Sequence, residues 1–171
     1  MRVLKLILLG VATLTLAGCA GYHLGSVTGA PAGDRTVEVL PFNNQTLQPR
    51  FGDAMSQALR ERFQVDATYL LVTDGKPGDI VVSGTIIKYE REGLGYLNRD
   101  SSTPENYRVG ATVHVIVRDS ATGKLLLDKN VKGHTLVNVG SDFASSERQA
   151  APLLAADLAQ NIVALLTEGS W

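Results

Sequence analysis

Cys19 is the one cysteine in a chain of 171 residues, and Leu16, Ala17 and Gly18 stand directly before it. In that setting a thiol can carry a lipid. The sulfur is the nucleophile that accepts a diacylglycerol group, and the small pair Ala17-Gly18 lets a signal peptidase close on the bond before the cysteine; the freed amine is then acylated. The leader suits this chemistry. Arg2 and Lys5 give a basic start, Leu6–Leu16 is apolar, and the run is shorter than the ~20 residues that cross a bilayer. With no second cysteine, no disulfide competes for the thiol. The spacing predicts a lipobox (Leu16, Ala17, Gly18) with Cys19 as lipid anchor and residues 1–18 as signal peptide. Ala20 rather than aspartate follows the cysteine, which in diderm bacteria is the sorting pattern of an outer-membrane destination.

No second chemistry of comparable strength is present. His23, His114 and His134 are scattered and lack the spacing of a zinc or catalytic cluster, and no nucleophile elbow or phosphate loop occurs. Gly93-Leu94-Gly95-Tyr96-Leu97-Asn98 opens like a dinucleotide fingerprint but has no third glycine. Glu90, Glu92 and Asp100 read as solvated acids beside a loop. The chain is therefore expected to be no enzyme and to hold no metal and no cofactor. The leader takes two basic residues and no acid from a formal net charge of −1, so the remainder is acidic, which argues against nucleic acid as a partner.

The elements that must position any site follow from periodicity. Removing the leader leaves about one ordinary domain. Residues 19–35 read as the lipidated N-terminus and a tether, because Gly25, Gly29, Pro31 and Gly33 interrupt a stretch with little apolar patterning. Residues 36–171 read as a single α+β domain. Thr36–Phe42 is β-rich and ends at a proline, and Asn43–Thr46 is a turn cluster. Phe51, Met55, Leu59 and Phe63 recur every fourth residue, which predicts a helix over Pro49–Gln64. Tyr69–Thr73 is a short strand and Asp79–Glu90 a longer one, with Gly84 marking a bulge or a close backbone approach. Arg91–Asn106 is polar and reads as a long loop.

Tyr107–Asp119 alternates clearly. Val109, Ala111, Val113, Val115 and Val117 face one way, and Arg108, Gly110, Thr112, His114, Ile116 and Arg118 the other. A hairpin turn with Gly123 leads back through Leu125–Lys132, where Leu125, Leu127 and Val131 should be inward and Lys132 outward. Ser146 and Gln149 can form the capping box of a last helix, with Leu154, Leu158, Ile162 and Leu165/Leu166 on one face, Pro152 in its first turns and Gly169 past its end. These elements predict a two-layer sandwich, with two helices on one face of a four- to five-stranded mixed sheet. Arg108, His114, Arg118 and Lys132 would then project from the uncovered face as a basic strip suited to phosphate or carboxylate.

Several segments together resemble a known family. Cys19-Ala20-Gly21-Tyr22-His23-Leu24 is similar to the mature start of the lipopolysaccharide-assembly lipoproteins of the LptE family, with Ala20 inserted between cysteine and glycine. Val39-Leu40-Pro41-Phe42-Asn43-Asn44-Gln45-Thr46, followed by Pro49-Arg50 and a helix, resembles that family's V-x-P-F-x-N-x-T segment. Asp79–Gly84, the Asp119–Gly123 turn and the last helix extend the likeness over nearly the whole mature chain. The resemblance implies a two-helix, four-stranded α+β fold. It also implies an outer-membrane lipoprotein that partners the LptD barrel, plugs it, helps it assemble and binds lipopolysaccharide in transit to the outer leaflet. Membrane attachment would be through the acyl chains on Cys19, with the domain facing the periplasm or inside the barrel. The runner-up is an accessory lipoprotein of another outer-membrane assembly or secretion complex, because related α+β folds resembling the N-terminal domain of TolB or the curli-secretion lipoprotein share a similar entry strand and helix.

The anchor is directly testable. Cys19→Ser should abolish acylation and leave the precursor uncleaved, read by metabolic labelling with a clickable fatty acid; label persisting on the serine variant would remove the basis for membrane attachment.

Overall fold

Val109, Ala111, Val113, Val115 and Val117 are all buried, and this row forms the middle of the core in a computed structural model. The structure describes residues 33–73, 75–97, 100–138 and 143–167. The leader, the lipobox with Cys19, the tether up to residue 32 and Gly169 lie outside the described residues.

The strands are β1 (Arg35–Val39), β2 (Asn43–Asn44), β3 (Tyr69–Leu71), β4 (Ile80–Leu97), β5 (Asp100–Asp119) and β6 (Leu125–Asn138); the helices are α1 (Phe51–Asp66) and α2 (Phe143–Thr167). They form one six-stranded sheet in the order β3-β1-β4-β5-β6, with two-residue β2 paired to β4. β3, β1 and β4 run parallel (Arg35↔Tyr69, Val37↔Ile80), whereas β4, β5 and β6 form an antiparallel meander (Val82↔Val117↔Leu127). Both helices lie on the side of the valine row. Met55, Leu59 and Phe63 of α1 and Leu154, Leu158, Ile162 and Leu166 of α2 join it in a single core. By length and composition α2 could cross a membrane, with a hydropathy of 1.4, but its large apolar face is spent on the sheet.

The α+β sandwich agrees with the sequence reading, and the differences have local causes. α1 starts at Phe51 rather than Pro49 because Arg50 takes a left-handed turn (φ 60°), and it ends beyond Gln64, where Ala67 (φ 57°) donates its N–H to the Phe63 carbonyl. The turn cluster at Asn43–Thr46 is present, with Asn44 Oδ1 accepting from the Thr46 N–H at 2.9 Å, yet Asn43 and Asn44 also pair with β4 and add the sixth strand. Gly84 marks a close approach: a Cβ there would stand 2.3 Å from the Phe42 ring. Phe42 is held in place by Ser56, whose hydroxyl accepts the Phe42 N–H at 2.9 Å and donates to the Gly52 carbonyl at 2.7 Å.

The expected loop at Arg91–Asn106 is instead a hairpin arm. β4 continues to Leu97 and β5 begins at Asp100, paired as Glu92↔Arg108, Leu94↔Asn106 and Tyr96↔Pro104. Glycines and polar side chains read as loop, but ladder bonds need only backbone groups, and Gly95 absorbs a positive φ of 65°. β6 likewise runs past Lys132 to Asn138. Leu125 does not face inward. A register shift between Val117 and Arg118 turns it to the open side, where it is 44% exposed, while Leu127 and Val131 remain buried. α2 begins three residues before Ser146, so Ser146 and Gln149 lie inside it and form no box at its start. Pro152 sits well inside the helix, not in its first turns. It faces solvent, so water can serve the Arg148 carbonyl that its missing N–H leaves unbonded.

One-sided covering makes a sharp prediction. Val113→Asp puts an unpaired charge into the core and should cost several kcal/mol, about the whole stability of an ordinary domain. Ile116→Asp, on the uncovered face, should be far milder. Thermal denaturation of both variants decides it, and equal losses would mean that the second face is covered too.

Candidate functional site

The uncovered face of β4, β5 and β6 is a grid whose rows follow from the ladder. Lys88, Thr112 and Lys132 make one row, Glu90, Gly110 and His134 the next, and Glu92, Arg108 and Leu136 the third. The middle row has no side chain at its centre, because residue 110 is glycine. The gap opens a depression of about 510 Å³ lined by Glu90, Glu92, Arg108, Thr112, Lys132 and His134. Thr112 is buried and lies beside Gly110 at its base.

Of the four cations picked from the sequence, the structure brings two to this depression. Arg108 and Lys132 line it. His114 lies outside it, one row beyond Thr112, with Nε2 2.7 Å from Asp128 Oδ1. Arg118 is at the far end of β5, between Val81 and Leu125. Arg108 and Arg118 are ten residues apart on one strand, about 33 Å at ~3.3 Å per residue, so they cannot grip one phosphate. The basic strip is therefore two separated regions.

The charges are also partly matched. Arg108 Nη1 lies 3.0 Å from Glu92 Oε2, and Lys88 Nζ lies 2.8 Å from Glu90 Oε2. These pairs are exposed and worth only about 0–1 kcal/mol, so an incoming anion can recruit Arg108 at little cost. No carboxylate among the described residues pairs with Lys132. An anionic group seated over Gly110 would have Arg108 on one side along β5, and Thr112 and Lys132 in the row on the other.

Arg91 borders the depression but is committed elsewhere. Its Nε and Nη2 donate to the two carboxylate oxygens of Glu147 at 2.5 and 3.1 Å, and Nη2 also reaches Gln48 at 3.3 Å. Glu147 is buried on α2 and accepts a third bond, from the Tyr89 hydroxyl at 3.1 Å. Burial, reinforced by the Glu147 charge, raises the Tyr89 phenol well above its usual range, which keeps it a donor. Phe143 stacks on Tyr107 beside this knot, with ring centroids 4.7 Å apart. Sequence reasoning put Gly110 on the open face without the gap it makes there, and missed His134 and Glu147. His134 lies beyond the expected end of β6 at Lys132, and its place opposite Gly110 depends on the register shift near Leu125; a glutamate in a helix reads as solvated unless its partner strand is known to pass beneath it.

Comparison with known proteins adds a family. The family model described as LptE, lipopolysaccharide-assembly, matches residues 35–166. No curated protein matches the chain in sequence. Among solved structures, a protein of Xanthomonas campestris is similar with a TM-score of 0.60 at 8% identity, over 86% of this chain and 91% of that one. A hypothetical protein of Chlamydia trachomatis gives 0.55 at 14%, over 77% and 95%. A minor lipoprotein of Acinetobacter baumannii gives 0.50 at 13%, over 77% and 92%. At such identities the likeness is one of fold.

The knot at Glu147 generates a stability prediction. Glu147→Ala strands the Tyr89 hydroxyl and frees Arg91, which should cost about 1–3 kcal/mol; Tyr89→Phe should cost about 1 kcal/mol or less. Urea denaturation curves measure both, and a neutral Glu147→Ala would show that the pairing contributes nothing to seating α2.

Proposed function

Because this chain belongs to the LptE lipopolysaccharide-assembly family, we propose that it is an outer-membrane lipoprotein, anchored through acyl chains on Cys19, that partners an LptD-type barrel in lipopolysaccharide transport. In this reading the domain plugs the barrel and helps it assemble. The observation that carries it is the one-sided core. Helices cover one face of the sheet, and the other, formed by the long β4–β5–β6 meander, stays uncovered and open to a partner.

Lipopolysaccharide contact is assigned to the depression over Gly110. Lys132 and Arg108 would each give a charge-assisted bond to a phosphate, with Thr112 able to add a neutral one. His114 and Arg118 stand apart from it and are left to the partner surface.

Native protein, solubilised in mild detergent and purified, should carry an LptD-type barrel identifiable by mass spectrometry; a different outer-membrane complex in its place would move the protein to the accessory-lipoprotein reading. For the ligand site, Arg108→Glu with Lys132→Glu should weaken lipopolysaccharide binding on the order of a hundredfold, from two contacts of at least ~1.5 kcal/mol each. Arg118→Glu should change it little. Full binding by the folded double variant would dismiss the depression while leaving the barrel role intact.

A further inference from the structure

β6 is an edge strand, and its outward backbone groups meet two different fates. At Lys132 and His134 α2 takes one group of each residue: the His134 N–H donates to Asp157 Oδ2 at 2.9 Å, and the Lys132 carbonyl accepts from Asn161 Nδ2 at 3.1 Å. The helix comes this close because residue 133 is glycine, where a Cβ would stand 2.7 Å from Leu158 Cγ and 2.8 Å from Asp157 Oδ2. In an antiparallel ladder alternate residues turn both N–H and C=O away from the partner strand. Counting back from Lys132 and His134, Asp128 and Asn130 do the same, and no group among the described residues bonds to their outward backbone. A long edge left unpaired is a template for another strand.

The open half of the edge also has a charge. Lys124, Lys129 and Lys132 flank it; all three are exposed, and none pairs with a carboxylate among the described residues. The single acid of β6, Asp128, is engaged by His114. Like charges brought opposite one another on paired strands are destabilising, so these lysines disfavour a second copy of this edge and favour a strand of opposite charge.

We propose that Leu125–Asn130 is a docking edge for an extended acidic segment of a partner protein, which adds to the sheet beyond β6. The backbone groups of Asp128 and Asn130 supply the ladder, the lysines supply the preference for acid, and Asp157 with Asn161 fix where the added strand stops.

The test uses the full-length lipidated protein in detergent micelles, isotopically labelled, and two synthetic octapeptides, one alternating valine with glutamate and one alternating valine with lysine. With the acidic peptide at about ten times its Kd, amide exchange at Asp128 and Asn130 should slow about tenfold, while the His134 amide, already bonded to Asp157, stays unchanged. The basic peptide should protect neither. Lys124→Glu with Lys129→Glu should weaken acidic-peptide binding at least about tenfold at unchanged Tm. Asn130→Pro, which removes an outward N–H, should abolish the protection at Asp128. Unchanged exchange at Asp128 and Asn130, equal protection by the basic peptide, or full affinity in the folded charge-reversed variant would each overturn the proposal.

Discussion

The single core that joins the valine row of β5 to Leu154, Leu158 and Ile162 of α2 and Met55, Leu59 and Phe63 of α1 is the constraint on which the rest of the molecule depends. Each such side chain contributes roughly 1.5–3 kcal/mol on burial. Because the buried apolar residues of β5 fall on one side from Val109 to Val117, with Ile116 the one large apolar residue of that stretch on the other, the helices cover that side alone. α2 is as long and apolar as a membrane-spanning helix, yet Leu154, Leu158, Ile162 and Leu166 are buried in the domain's own core, and Leu153 is left exposed.

That asymmetry leaves the second face free, and the face is neither a simple basic patch nor a simple solvated surface. Its charges alternate in rows fixed by register, with Glu90 and Glu92 set against Lys88 and Arg108. Gly110 opens a depression between them, and Lys132 lines it without an acid partner among the described residues. A mixed surface of this kind pairs its own charges in part and leaves Lys132 for an incoming anion. The Arg91–Glu147–Tyr89 knot works from the covered side, tying the first turns of α2 to the strand that supplies one wall of the depression.

Much of this was legible in the sequence where one physical signal acted alone. The fourfold spacing of Phe51, Met55, Leu59 and Phe63 marks α1, and the alternation from Val109 to Val117 marks the core strand and the direction of its open face. The signal failed where two effects competed. At Arg91–Asn106 the polar, glycine-containing composition spoke for loop, but backbone pairing with a neighbouring strand needs no apolar side chain. At Leu125 strict parity held until a single register shift reversed it, and the same shift hid His134's place opposite Gly110. At Ser146 a sound capping pattern was overridden by tertiary contacts, since Phe143 gains the Tyr107 ring and Glu147 gains Arg91 by starting the helix earlier. Pairing information lies in partners distant along the chain, so local patterns cannot supply it.

The placement of β1 has a mechanical meaning. The first strand among the described residues is not at the edge but between β3 and β4, parallel to both. Tension arriving from the N-terminal side enters the fold at Arg35 and pulls along the strand, so both flanking ladders are loaded in shear and their bonds share the force. An N-terminal edge strand in a hairpin would instead peel open one bond at a time. Resistance to such a pull is a matter of unfolding rate rather than equilibrium stability, and a domain loaded along an interior strand in this way resists being peeled open from that end.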